Sequence, residues 1–269
     1  MSIKLSICIA TLNRGDFIGE TLDSIAAQSD ARIEIVVLDG GSTDNTEQIV
    51  RRFQTRFPHF NYIRQASPHG VDRDFNTAVE AASGEYCWLM PDDDLLKPGA
   101  IDVVLRACER RVDLIVVNAE VRTCDFQSLL VPNLLGFDGE RTYEPTEIER
   151  LFEETAGYLS YIGAVVIRKE VWLARDRASY FGSYFVHFGV IFQAPLPGSA
   201  LALGDPLISI RYGNAQWRPK EFEIWMFRRP ELVRSLTTIS DALRADASIW
   251  NFGVAPGTCW LFVQKDPMD

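Results

Sequence analysis

The chain has 269 residues, of which 47% are hydrophobic and 24% charged, a composition typical of a soluble globular protein. Its net charge of -10 argues against nucleic-acid binding, because phosphate contacts need a basic face. The five cysteines, at positions 8, 87, 108, 124 and 259, include no C-x-x-C pair, which fits a reducing compartment. The sequence begins directly with a strand pattern, and no stretch approaches membrane-spanning length, so we expect a cytoplasmic protein.

The first 120 residues alternate strand and helix patterns. Strands are predicted at 4–10, 33–39, 60–64, 85–90 and 112–120, and helices at 17–28, 46–57, 74–82 and 100–111. This succession predicts an α/β fold with a mostly parallel sheet and helices on both faces. Ligands of such sheets bind beyond the carboxyl ends of the strands. Polar residues follow three of these strands: Thr11, Asn13 and Arg14, then Asp39, then Asp92 to Asp94.

The second half is less regular. Residues 121–145 predict loops and irregular strands, and a helix follows at 146–155 with Thr146 and Glu149 as a capping box. A strand leading into a helix is predicted at 161–172, a buried aromatic helix at 182–194, a strand at 200–213 and helix from 219 to 246. We expect one domain at 1–215, with a nucleotide-binding half (1–120) and an acceptor-side half (121–215), and a C-terminal helical extension at 216–269.

Asp92, Asp93 and Asp94 follow a hydrophobic strand and precede a proline-led helix start. A bland explanation is a solvated turn whose acids favour the positive end of the next helix. The buried strand before them instead places the carboxylates at the ligand edge of the sheet, where we expect them to face solvent. Carboxylates suit Mg²⁺ or Mn²⁺, which commonly sit between acids and substrate phosphates.

Three segments together carry a family resemblance: "LSICIATLNRGDFIGETLDSI", "IEIVVLDGGSTDNTEQIV" and "SGEYCWLMPDDDLLKPGAI". They resemble the nucleotide-binding half of family 2 glycosyltransferases, which have the GT-A (Rossmann-like) fold. "GVDRDFNTAVEAASGEYCWLMPDDDLLKPGAI" and the later "RYGNAQW" resemble more narrowly the abequosyltransferase-like group of bacterial surface polysaccharide (O-antigen) synthesis.

The resemblance implies roles for individual residues. The turn from Ala10 to Arg14, with Thr11 and Asn13, would line the base and ribose pocket. Asp39 would accept a hydrogen bond from the pyrimidine, and Asp72 and Arg73 would contact the nucleoside. The chain departs from the family pattern at Leu12, where many members have tyrosine, at Gly40, where the commoner loop has a second aspartate, and at Phe75, where arginine is frequent.

The aspartate triplet resembles the "DxD" element that holds the metal and the ribose. Asp92, Asp93 and Asp94 are therefore the candidate ligands of Mn²⁺ or Mg²⁺, with Asp92 also near the ribose. Pro91 stands where many members have the first acid, so the sequence leaves open which pair binds the metal.

The catalytic base is not evident from the sequence. Inverting members of the family usually present an aspartate, often in "ED", but "YFGSYFVHFGVIFQA" has no such pair. Apart from tyrosines, His187 is its only titratable side chain, and imidazole can accept a proton near neutral pH. The alternative is a hydrogen-bonded core histidine.

Two later segments each have two interpretations. "RYGNAQWRPK" is either a solvated loop or a lid that reaches the diphosphate or the acceptor. Residues 211–234 hold six Arg or Lys against three Glu, interleaved with aromatic residues. They form either a helix that packs on the core or a face that contacts the inner membrane peripherally.

The expected function is metal-dependent, inverting transfer of a sugar from a nucleotide-diphospho-sugar donor of UDP, CDP or dTDP type. The expected acceptor is a glycan or lipid-linked hydroxyl at the cytoplasmic face of the membrane. One alternative is a sugar-nucleotide nucleotidyltransferase, although "ATLNRGDF" lacks a Gly-rich basic loop. Another is a non-catalytic nucleotide- or sugar-binding scaffold.

Overall fold

The computed structural model describes residues 3–248. Within that range ten strands form one sheet. They are β1 (Leu5–Thr11), β2 (Ile33–Asp39), β3 (Phe60–Arg64), β4 (Tyr86–Met90), β5 (Leu95–Leu96), β6 (Leu114–Arg122), β7 (Leu129–Val131), β8 (Glu140–Tyr143), β9 (Val165–Arg168) and β10 (Ala200–Arg211).

The α-helices alternate with the early strands and cluster after residue 145. They are α1 (Ile18–Ala26), α2 (Thr46–Phe53), α3 (Val71–Ala81), α4 (Ala100–Glu109), α5 (Ile148–Thr155), α6 (Lys169–Ala174), α7 (Val186–Phe192), α8 (Glu221–Glu223), α9 (Arg229–Ser235) and α10 (Asp241–Ser248). A π-helical turn, Ile224–Arg228, joins α8 to α9, and 3₁₀ turns lie at Gln54–Arg56, Pro145–Glu147, Tyr158–Ser160, Ile162–Ala164, Ala178–Tyr180 and Arg218–Lys220.

The first four long strands form the parallel half of the sheet, in the order β3-β2-β1-β4. Every residue of β2 is buried, as its β-branched sequence predicts for a strand covered on both faces. Thr11 pairs with Asp39 and Asp39 with Arg64, so these strands end at one edge. The predicted convergence of the polar strand ends is therefore confirmed for this half.

The second half makes the sheet mixed. β9 lies between β4 and β6 and is antiparallel to both, whereas β6 and β10 are parallel. The antiparallel β9 arises because the chain reaches it through turns on the sheet's ligand edge, so it runs back toward the opposite edge. Short strands β5 and β8 then pair antiparallel with β10. The α/β class is confirmed, and the antiparallel strands were not foreseen.

Local boundaries differ from the predicted ones where capping was misassigned. The capping box is formed by Glu144 and Glu147 around the Pro145–Glu147 turn, and α5 begins only at Ile148. The expected pair of Thr146 and Glu149 therefore lies two residues too late.

Residues 121–215 pack onto the same core as residues 3–120. The indole of Trp172 donates to Asn76 on α3 at 3.1 Å, and that of Trp88 on β4 donates to the carbonyl of Gly163 at 2.9 Å. Ile224 and Leu232 from the extension belong to the same buried cluster. The portion of the extension after residue 248, including Cys259, lies outside the described residues. In residues 3–248, no helix is long and apolar enough to cross a membrane.

Candidate active site

An arginine from the first strand's turn bridges two of the three consecutive aspartates. The Arg14 Nε lies 3.2 Å from the Asp92 Oδ1, and its Nη2 donates to Asp93. The guanidinium is almost completely buried and stacks over the Phe17 ring, 4.5 Å from its centroid. One cation therefore offsets the repulsion between two neighbouring carboxylates.

Asp94 departs from the expectation that its side chain faces solvent. Its side chain is 3% exposed and points into the fold. Its Oδ2 accepts a hydrogen bond from the Tyr161 hydroxyl at 2.6 Å, and its Oδ1 accepts one from the Arg211 backbone at 2.8 Å. Through these two hydrogen bonds, Asp94 connects the end of β4 to β10 and to the segment before β9.

Enclosure makes the charged forms of these acids unfavourable. Burial, with the charge of Asp93, raises the pKa of Asp92 to about 7, although Arg14 opposes the rise. Burial also raises the pKa of Asp93 and, more strongly, that of Asp94. The surroundings therefore stabilise the ionised forms of these acids only in part, and added positive charge would lower their pKa values.

The donor set suits a cation that shares its ligands with a substrate. Among the described residues, no group of three or more His, Cys, Asp or Glu side chains is placed to hold a metal ion. Asp92 and Asp93 lie side by side at the edge and keep partial exposure. Magnesium is commonly held by one or two carboxylates plus substrate phosphates and water, so this pair fits Mg²⁺ or Mn²⁺ in that mode.

The segment 212–217 lies across the turn that follows β1. The carbonyl of Asn214 accepts a hydrogen bond from the Arg14 Nη1 at 3.1 Å. The Gln216 amide donates to the carbonyl of Leu12 at 2.8 Å. Of the two interpretations of this segment, the contacts favour a cover over the turn that follows β1 rather than a loop held away in solvent.

Arg211, at the start of that segment, has a bracing role. Its side chain is buried, its Nε donates to the carbonyl of Asp93 at 3.0 Å, and its Nη2 pairs with Glu20 at 2.9 Å. These bonds fix the backbone of the acidic turn, residues 92–94, against α1. Arg218, which follows Trp217 in the sequence, is exposed.

The predicted base and ribose turn is tightly interlocked with the loop after β2. Asn13 adopts a left-handed backbone with φ 54°, and its Oδ1 accepts the Thr43 N–H at 2.8 Å. The Asn13 N–H donates to the Ser42 hydroxyl at 2.9 Å. The Thr11 side chain lies near Asp92 and opposes the rise in the pKa of that acid. Asn13 thus braces two loops, while Thr11 and Arg14 point toward the acids.

Asp39 lies at the predicted edge but is fully buried. Its Oδ1 accepts from the backbone of Gly41 and Ser42 at 3.0 and 2.7 Å, and its Oδ2 accepts from the Tyr62 hydroxyl at 2.7 Å. A base could contact this carboxylate only if one of its present partners moved. The contact of Asp39 with a pyrimidine stays a prediction. The hydrogen bonds that it makes in this structure hold the turn at residues 40–42.

The two residues expected to contact the nucleoside from α3 behave differently. Asp72 is buried, and its carboxylate accepts three backbone N–H groups, from Gly182, Tyr184 and Val186 at 2.8–3.0 Å. It therefore caps the start of α7 instead of facing the β2 edge. Arg73 is exposed and lies over the Phe181 ring at 4.5 Å.

His187, the predicted base, lies in the core of α7. It is 1% exposed, and its Nε2 lies 2.9 Å from the carbonyl of Leu159. Burial lowers its pKa to about 4, so the ring is neutral near pH 7. Its Nδ1 has no hydrogen-bond partner among residues 3–248. This position favours the core interpretation, and its role as base stays a prediction.

The comparisons with known proteins agree with this arrangement. The family model "Glycosyl transferase family 2" matches residues 6–171. The chain belongs to glycosyl transferase family 2. Abequosyltransferase RfbV of Salmonella typhimurium is 29% identical over 230 residues, which cover 80% of this chain and 69% of the relative. Both the family resemblance and the narrower group resemblance are thus confirmed.

Solved structures show the GT-A fold for this glycosyltransferase. S. aureus TarS 1–349 in complex with UDP-GlcNAc matches with a TM-score of 0.67 and 16% identity, over 91% of this chain and 70% of that chain. The mannosyltransferase PcManGT from Pyrobaculum calidifontis, in complex with GDP-Man and Mn2+, matches with a TM-score of 0.54 and 17% identity, over 87% and 63%.

Two residues of the glycosyltransferase site escaped the sequence prediction. Tyr161 reaches Asp94 from a segment whose position no local pattern reveals. Asp74 is 5% exposed and lies beside the turn after β2, although only Asp72 and Arg73 of "GVDRDFN" were singled out. Residues two apart on a helix point in nearly opposite directions, and this could have shown that only one of the two acids faces that turn.

Proposed function

We propose that this glycosyltransferase moves a sugar from a nucleotide-diphospho-sugar to a hydroxyl of a glycan or lipid-linked acceptor, in bacterial surface polysaccharide synthesis. The proposed cofactor is Mn²⁺ or Mg²⁺ at Asp92 and Asp93, and the proposed transfer inverts the anomeric carbon. The observation that carries the proposal is the paired carboxylates at the end of β4, beside the β1 turn and Arg14. The Mn2+ and GDP-Man in the PcManGT structure support a metal and a diphospho-sugar at a fold of this type.

Each residue at this edge has a function in the proposal. Asp92 and Asp93 would hold the cation, which when bound neutralises charge that grows on the departing diphosphate. Arg14 lies next to these acids, and its guanidinium would donate hydrogen bonds to the diphosphate. Asp94, held by Tyr161 and Arg211, would keep the acidic turn in place and is the weakest candidate ligand of the three.

The proton acceptor is the part of the proposal with the least structural support. An attacking hydroxyl must lose its proton, and His187 is the candidate from the sequence. The ring would have to reach a substrate-facing surface from which its burial now separates it. This burial gives specific support to the second candidate function, a nucleotide-binding scaffold without turnover.

A donor assay tests the proposal. Purified protein is incubated with UDP-, CDP-, dTDP- and GDP-sugars, with Mn²⁺, with Mg²⁺ or with EDTA, and with cell-envelope glycolipid as acceptor. We expect release of nucleoside diphosphate from one donor class, with loss of release in EDTA. Nucleotide binding without release under every condition would support the scaffold, and equal turnover in EDTA would remove the metal from the proposal.

A further inference from the structure

The carboxylate of Asp74 lies beside the turn that follows β2, against Gly40. A Cβ built on Gly40 would lie 3.2 Å from the Asp74 Oδ2, 3.6 Å from the carbonyl of Thr11 and 3.7 Å from the Leu12 Cδ1. The first turn of α3 therefore brings Asp74 against the β1 and β2 turns that line the proposed nucleoside pocket.

This carboxylate is buried without full compensation. Asp74 is 5% exposed, and its Oδ1 has no hydrogen-bond partner in the described part of the chain. Burial raises the pKa of Asp74, although the Gln65 side chain and the charge of His69 oppose the rise. A buried carboxylate oxygen without a donor is unfavourable, so a ligand that supplies an N–H group would stabilise it.

A second acceptor lies next to the first. Gln65 follows β3, and its backbone N–H donates to the carbonyl of Asp39 at 2.8 Å. The Gln65 side chain lies close enough to Asp74 to oppose the rise in its pKa, and the buried Gln65 Oε1 also has no partner within residues 3–248. Amide and carboxylate oxygens only accept hydrogen bonds. The Asp74 Oδ1 and the Gln65 Oε1 would therefore both be satisfied by a ligand with more than one N–H.

We propose that Asp74, with Gln65, determines nucleobase specificity by accepting hydrogen bonds from an exocyclic amino group of the donor's base. Cytosine presents two N–H groups on one amino nitrogen, and guanine presents an amino group beside a ring N–H. Uracil and thymine present one ring N–H between two carbonyls, and a carbonyl beside the Asp74 carboxylate would be repelled. The inference rests on the proposed use of a nucleotide donor and adds the class of base.

Calorimetry with CDP and UDP tests the inference, because these ligands share ribose and diphosphate and differ only in the base. Both are titrated with saturating Mg²⁺, and GDP and dTDP extend the comparison. We expect CDP or GDP to bind at least about tenfold more tightly than UDP, the discrimination that a hydrogen bond to a charged group supplies.

Asp74→Asn replaces one acceptor by a donor at constant size, so it should reduce the CDP-over-UDP ratio by about ten- to a hundredfold. Gln65→Met removes the second acceptor and should reduce the ratio less. Asp102→Asn, an exposed acid on α4, is the matched control and should leave the ratio unchanged. Melting curves show whether each variant is folded. If Asp74→Asn does not fold, the change in the CDP-over-UDP ratio is measured with Gln65→Met instead.

The outcomes separate this inference from the proposed function. Tighter binding of UDP or dTDP by the wild type, or an unchanged ratio in folded Asp74→Asn, would overturn the inference and leave nucleotide binding intact. A wild-type protein that binds none of the four nucleotides would overturn the proposed function, and the base assignment with it.

Discussion

The three consecutive aspartates after β4 have different environments in the structure, although they are identical in the sequence. Asp92 and Asp93 share Arg14 and keep partial exposure, whereas Asp94 is enclosed by Tyr161 and Arg211. Mutation should therefore separate a substrate-facing role from a structural one.

Asp93→Ala and Asp94→Ala are predicted to differ in stability. Removing Asp94 leaves the Tyr161 hydroxyl and the Arg211 N–H buried without an acceptor, and each such group costs about 1–3 kcal/mol. We expect the melting temperature to fall by about 5 °C or more in Asp94→Ala, and by about 2 °C or less in Asp93→Ala. Thermal unfolding, with turnover measured in parallel, checks this.

Both variants should lose metal-stimulated transfer, Asp93→Ala directly and Asp94→Ala because the turn loosens. The exposed acid Asp205 supplies a control, Asp205→Ala, which should change neither quantity. Equal melting temperatures for the two variants would contradict the assignment of Asp94 to the framework.

His187 provides a pH-dependent prediction. Its pKa is lowered from 6.5 to about 4, so the unfolded chain binds more protons than the folded chain between these values. The free energy of unfolding that depends on neutral His187 is therefore fully present above pH 6.5 and is lost as the pH falls toward 4, by about 3 kcal/mol.

His187→Asn should remove that pH dependence of stability while retaining most of the turnover and the wild-type pH–rate profile. Denaturant titrations at pH 4.5 and 7 measure the first, and initial rates from pH 5.5 to 8.5 the second. A folded variant with normal donor affinity but strongly reduced kcat would instead restore His187 as the base.

At the scale of elements, the loop after β2 is built around one buried carboxylate. Asp39 accepts the N–H groups of Gly41 and Ser42, and Gly41 has φ 90°, a conformation that glycine adopts without strain. The shape of the proposed nucleotide pocket would therefore depend on Asp39 whether or not the base touches it.

Asp39→Ala is predicted to weaken nucleotide binding about ten- to a hundredfold and to lower the melting temperature, because the turn loses its two anchors. Tyr62→Phe removes only the hydroxyl that donates to the other oxygen of Asp39, and it should affect both quantities less. Calorimetry and thermal unfolding measure the two effects. Weaker nucleotide binding without loss of stability would mean that Asp39 acts by direct contact.

The sequence predicted the elements that local patterns control. Alternating strands and helices up to Glu120 and the convergence of Thr11 with Asp39 followed from periodicity and from the rule for parallel strand ends. The insertion of antiparallel β9 did not, because pairing between distant strands leaves no local signal. For the same reason Asp72, an acid in a motif, gave no sign that its partners lie 110 residues later.

At the scale of the whole molecule, the acidic chain carries an exposed apolar feature next to basic residues. Phe222 and Phe227 are 71% and 59% exposed, and their rings lie 5.8 Å apart. With Met226 they form the aromatic patch. Ile224 and Trp225 from the same turn are buried, so the core-packing interpretation of this segment accounts for only one of its faces.

The aromatic patch fits the headgroup region of an anionic membrane, where aromatic rings are favoured and each nearby basic residue contributes about 1 kcal/mol. We predict co-sedimentation with liposomes that contain anionic lipid, weakening as salt rises. Phe222→Ser with Phe227→Ser should reduce binding, and so should Arg218→Glu with Lys220→Glu. Arg229 is unsuitable for this test, because it is buried and donates to the carbonyl of Ala247 at 2.7 Å.

The control for these variants is a second exposed apolar pair, Leu129 and Leu130 in β7, at 48% and 46% exposure. If binding reflects only surface hydrophobicity, Leu129→Ser with Leu130→Ser would reduce it as much as the aromatic substitutions do. If the aromatic patch docks the molecule, only the changes at 218, 220, 222 and 227 act, and binding to uncharged liposomes is weak throughout. Failure of the wild type to sediment at low salt would leave the patch without a membrane role, and the acceptor would then have to reach the enzyme by another route.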